Sequence, residues 1–149
     1  AITNEYDASA TVENPGNLKD GLNTLSITVK SANGKHTRTE TVELYVYTKK
    51  TTKSSIGFSK SVAKITTKGT SSLNIAIAKL TDSKNLVLTV SMPKVKTLST
   101  AKNNRLLKQR TDLIVKALSA KGIKATKVTK SLVATGTADS LSITANYIN

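Results

Sequence analysis

Leu25, Ile27 and Val29 alternate with polar residues, and Val42, Leu44 and Val46 do the same. A period of two gives each run one apolar face, the pattern of a strand half-buried in a sheet. Asn33-Gly34 lies between the runs, and that pair tolerates the positive φ of a tight turn, so a hairpin is expected. An earlier strand is expected around YDASATVE (6–13), ahead of a turn at NPGNLKDG (14–21).

The pattern changes further along. SSIGFS (54–59) reads as short and extended. TKGTSSLNIAIAKLTDSK (67–84) supports a helix through Leu73, Ile75, Ile77 and Leu80 with Ala76 and Ala78, and with Thr70 or Ser71 near its cap. Leu73, Ile75 and Ile77 also alternate as a strand would, so both readings stay open here. NLVLTVSM (85–92) is nearly continuous and rich in β-branched residues, which predicts a strand buried on both faces. In NNRLLKQRTDLIVKAL (103–118), Leu106, Leu113 and Ala117 form one stripe, with Leu107, Ile114 and Leu118 beside it. That helix is expected to stop at AKG, where Gly122 can take the left-handed closing position. IKATKVTKSLVATG (123–136) and DSLSITANYI (139–148) then give two strands expected to close as a hairpin.

The expected fold class is α+β. A partial antiparallel β-sandwich over 1–49 precedes a βαβαββ two-layer α/β sandwich over 50–149, its helices on one face of a mixed sheet. Charge supports the division. Residues 1–50 hold six Lys/Arg and six Asp/Glu, whereas 51–149 hold seventeen Lys/Arg and only Asp82, Asp112 and Asp139. The second part thus carries all of the net +14. YTKKTTKSS (47–55), polar and aperiodic, reads as the linker.

LKDGLNTLSITVKSANGKHTRTETVELYVY (18–47) resembles the closing half of a bacterial immunoglobulin-like or cadherin-like sandwich. That resemblance implies opening strands upstream or from a neighbouring molecule, because a bare sheet edge invites pairing. Residues 55–148 resemble the OmpA-like peptidoglycan-associated domain. SSIGFSKSVAKITTKGTSSLNIAIAKL is similar to that family's opening, and NNRLLKQRTDLIVKALSAKGI to its N-x-x-L-S-x-x-R-A signature. Asn103, Leu106 and Arg110 match the signature's spacing, while Leu107 and Thr111 replace its usual Ser and Ala.

The resemblance implies a ligand-binding role for Arg110, whose guanidinium fork matches a carboxylate bidentately, with Asn103 as a supporting hydrogen-bonding group. Arg110 is expected to face an exposed cleft beside the strand ending near Met92. In the loop SMPKVKTLSTAKNN, Lys94 and Lys96 stand where the family carries an acidic stretch that meets the ligand's ammonium group. Lys94 and Lys96 complete the candidate ligand-binding set.

Other chemistry is thin. The chain has no Cys and one His, which disfavours a metal centre, and His36 beside the hairpin turn reads as a solvated residue. No cofactor is expected. Nine carboxylates, six of them before residue 50, offer no catalytic pair, so no enzyme activity is expected. The lysines are scattered, and KATKVTK, with Lys121 just before it, has a spacing of three that splits faces in a strand. With Phe58 as the only Phe, stacking on single-stranded nucleic acid has little to work with. No run reaches the roughly 18 apolar residues of a membrane span. The first residues lack a signal-peptide pattern and an initiating Met, which suggests a processed product or a piece of a longer exported protein. The reading is therefore a non-catalytic, extracellular or envelope module of a bacterial surface protein. Its partners would be cell-wall polymer (peptidoglycan or an anionic wall polymer) or neighbouring domains, and a basic nucleic-acid-binding domain is the alternative.

Overall fold

The computed structural model describes residues 8–13, 16–137 and 139–148. The chain divides into two units, Ala1–Thr48 and Lys49–Asn149.

The first unit is an antiparallel sheet of β1 (Ser9–Glu13), β2 (Gly21–Lys30) and β3 (Thr37–Val46), in that order. The hairpin falls where Asn33-Gly34 predicts it. Gly34 takes φ +69°, its N–H donates to Ser31 O at 2.9 Å, and Asn33 Oδ1 accepts from Ser31 Oγ and Lys35 N. Of the early strand and turn, residues 6–7 and 14–15 lie outside the described residues. Register puts Ala10, Val12, Leu25, Ile27, Val29, Val42 and Leu44 on one face. That face is open: Val12 is 54% exposed and Leu44 36%, and no described residue of this unit is buried. The described strands form one layer rather than a sandwich.

The second unit runs β4 (Lys49–Gly57), α1 (Thr67–Lys79), β5 (Lys84–Pro93), α2 (Thr100–Ser119), β6 (Ala125–Val133), β7 (Ser140–Ile148). The expected βαβαββ order holds, and both helices cover one face of a mixed sheet. Its core gathers Leu73, Leu106, Ile114 and Leu118 from the helices onto Ile56, Leu88, Val90, Leu141 and Ile143 from the strands. Between helix and strand, residues 67–79 settle as helix. Thr66 rather than Thr70 or Ser71 caps it, its Oγ1 accepting from Gly69 N at 3.0 Å. α2 ends as expected: Gly122 has φ +75° and Ile123 N donates to Leu118 O at 3.1 Å.

Three expectations are corrected. The polar stretch from Lys49 is not linker but most of edge strand β4. Among the described strands it pairs with β7 alone, so main-chain hydrogen bonds hold it without an alternating apolar pattern. The last two strands do not form a hairpin. The sheet order is β4-β7-β5-β6, with β7 antiparallel to β4 and β5, and β6 parallel to β5 on the other edge. Finally, β5 is buried on one face only. Leu86, Leu88, Val90 and Met92 sit under the helices, while Val87 and Ser91 are half-buried and Thr89 is exposed on the opposite face.

α1 meets β4 at van der Waals limit. A Cβ on Gly69 would lie 2.1 Å from Gly57 O, so the first turn of the helix rests on the strand's backbone and admits no side chain there.

Candidate functional site

α2 carries the polar residues singled out above, and its first turn positions them. Ser99 caps the helix, its Oγ accepting from Lys102 N at 3.3 Å. One turn on, Asn103 is 2% exposed and fully engaged. Its Oδ1 accepts from Val95 N at 2.9 Å, and its Nδ2 faces the carbonyls of Val95, Leu98 and Ser99 at 3.0–3.2 Å. Asn103 is thus the staple of the 94–99 loop. Val95 points inward from that loop, while Lys94 and Lys96 stay exposed.

Arg110 lies two turns beyond Asn103 on the same side of α2. The expected exposed cleft is absent: the side chain has 0% exposure. The turn between Phe58 and Ile65 covers it. That turn closes through a bridge between its two ends and through Ser59 N donating to Lys64 O at 2.7 Å, with Ser61 in the left-handed region at φ +57°. It offers two carbonyls to the guanidinium. Arg110 Nε donates to Val62 O at 3.1 Å and Nη2 to Ser59 O at 3.0 Å. Nη1 approaches Met92 Sδ at 3.5 Å, and the guanidinium carbon stands 4.7 Å from the centre of the Phe58 ring. Burial lowers the Arg110 pKa from its ordinary value, and the Asp139 carboxylate acts in the opposite direction.

Asp139 is the residue that the sequence reading missed. The sequence places it only at the start of the strand expected over 139–148, yet its charge acts on Arg110, and its Oδ1 is buried without a hydrogen-bond partner among the described residues. Its carbonyl accepts from Phe58 N at 2.7 Å, which ties the entry to β7 to the end of β4. No spacing rule links positions 29 residues apart on a helix and a strand entry.

The four candidate residues therefore divide. Asn103 fixes the loop that displays Lys94 and Lys96, while Arg110 bonds to a different loop beneath Phe58. A surface depression beside α2 is lined by Ala63, Gln109, Asp112, Leu113 and Lys116, and Arg110 is not in its wall. His36 is exposed in the hairpin turn. Among the described residues no group of three His, Asp or Glu could hold a metal ion. Among the described residues no helix is long and apolar enough to cross a membrane.

No family model matches the chain, and no curated protein matches it. Among solved structures it is similar to the OmpA-like domain of FopA1 from Francisella tularensis subsp. tularensis SCHU S4. The identity is 10%, the match covers 96% of this chain and 83% of that one, and the TM-score is 0.47.

Proposed function

We propose that the chain is a non-catalytic module of a bacterial cell envelope or surface that binds or tethers cell-wall polymer within a larger exported protein. The carrying observation is how the second unit spends its charges. Its three carboxylates are Asp82, Asp112 and Asp139. Asp112 pairs with Lys108 at 2.6 Å and Asp139 acts on the buried Arg110. Nearly all of the lysines remain on the surface, a field that attracts an anionic polymer. With Arg110 and Asn103 engaged on main-chain groups, the described residues of the unit present no nucleophile–base pair for turnover. The first unit is read as part of a sandwich whose apolar face, Val12, Val29, Val42 and Leu44, is covered by strands from a neighbouring domain or molecule.

Sedimentation with purified cell walls tests the reading. The chain should pellet with walls that retain their anionic polymer, and release should rise steeply with salt. Walls stripped of that polymer should hold it less. Failure to pellet with either preparation, or release of soluble wall fragments on incubation, overturns the proposal. Equal retention by walls and by DNA at matched charge would favour the nucleic-acid alternative.

A further inference from the structure

The helices of the second unit cover one face of the sheet, and the other face carries an ordered pattern. Register aligns its outward positions in ranks across four strands. One rank is Ser55, Ser142, Ser91 and Ser131, from β4, β7, β5 and β6. The next is Lys53, Thr144, Thr89 and Thr129, and a third is Thr51, Asn146, Val87 and Lys127. Exposure agrees with this assignment: Thr51, Lys53, Ser55, Thr89, Lys127, Thr129, Ser131, Ser142 and Asn146 are exposed, and the remaining three are half-buried. A hydrogen bond of 2.7 Å from Thr51 Oγ1 to Asn146 Oδ1 joins neighbours on this face.

Two features distinguish this surface from an ordinary solvated sheet face. Cross-strand pairs on such faces commonly join opposite charges, but here no carboxylate appears in any rank. The second unit's three lie after α1, on α2 and beside Arg110. In the first two ranks the central positions, Ser142, Ser91, Thr144 and Thr89, are also short hydroxyls, so a flat partner can approach the backbone closely there. Strands stand roughly 4.8 Å apart and outward residues roughly 6.7 Å apart along each strand, which makes a regular grid of donors and acceptors. Lys53 on β4 and Lys127 on β6 place cations at the two edges of the grid.

We propose that this helix-free face is the polymer-binding surface, and that its occupant is an extended anionic glycan. The sugar hydroxyls exchange hydrogen bonds with the Ser and Thr ranks, and its acidic groups meet Lys53 and Lys127. The face binds by many weak contacts rather than by one pocket. This assignment rests on the wall-polymer reading above and adds the location and the chemical class.

The test is affinity electrophoresis of the full chain in native gels containing polygalacturonate, with dextran and double-stranded DNA as parallel arms. Polygalacturonate should retard the chain, dextran weakly or not at all. Ser142→Glu with Thr129→Glu, both exposed and outside the core, should weaken retardation at least tenfold. Lys53→Gln with Lys127→Gln should weaken it severalfold. Lys102→Gln with Arg105→Gln, which removes the same charge from exposed positions on α2, should change it less than twofold. Circular dichroism confirms that each variant is folded. If the α2 pair matters as much as the face pair, net charge alone is responsible and the face assignment falls, while the wall-polymer reading stands. If the face variants weaken retardation by DNA and leave that by polygalacturonate intact, the glycan class is wrong. No retardation by polygalacturonate, together with no pelleting on walls, overturns both readings.

Discussion

Replacing Arg110 with Ala separates a structural clamp from an exposed binding group. As a clamp, Arg110 holds the carbonyls of Ser59 and Val62, covers the Phe58 ring and lies in the field of Asp139. Each of the two charge-assisted hydrogen bonds from the buried guanidinium contributes about 1.5–3 kcal/mol. Each carbonyl left without a donor adds about 1–3 kcal/mol where water does not reach it. The 58–65 turn lies at the surface and can relax toward solvent, so the carbonyl losses overlap with the first figure. About 3–5 kcal/mol is the expected total. An arginine in an open cleft would change stability by about 0.5 kcal/mol or less. Native-state hydrogen exchange at the Leu88 and Val90 amides measures the quantity, because both lie at the centre of β5 in the second unit's core and report its opening independently of the first unit. Arg110→Met keeps apolar packing on Phe58 and Met92 and should lose less. Combining it with Asp139→Asn should recover part of the loss, with a coupling of about 0.5–3 kcal/mol. Burial lowers the Arg110 pKa, so the unfolded chain holds that proton more tightly, and stability would rise with pH as the group titrates. Arginine keeps its proton through the ordinary working range, so Arg110 itself adds no slope there. A loss below about 1 kcal/mol for Arg110→Ala would refute the clamp and return the residue to a binding role.

Gly69→Ala should destabilise by about 1–3 kcal/mol through overpacking against Gly57 O, although alanine is the better helix former by about 1 kcal/mol; thermal unfolding of the variant reads the sign. Asn103→Ala should lower stability by about 1–3 kcal/mol and speed exchange of the Val95 amide, since that N–H loses its acceptor. Val42→Thr with Leu44→Thr should shift the isolated chain's stability by about 0.5 kcal/mol or less by denaturant unfolding, because both side chains already face solvent.

Local pattern determined much of this protein. Asn33-Gly34 needs only its own backbone freedom to turn, and the stripe of Leu106, Leu113 and Ala117 with Leu107, Ile114 and Leu118 beside it needs only the helical period, so the hairpin, α2 and the strand–helix order are legible from neighbouring residues. The uniform serines and threonines are visible in the sequence too, but their alignment into ranks is not. Alignment depends on β7 entering between β4 and β5, and main-chain hydrogen bonds across strands carry no signature in side chains. For the same reason the polar run from Lys49 to Ser55 gives no sign of being a strand. The burial of Arg110 was decided by a turn about fifty residues earlier in the chain, and Asp139 at the entry to β7 adds its charge to the field there. Whether a charge faces water or carbonyls depends on what the folded chain brings over it, and only the tertiary structure brings these segments together.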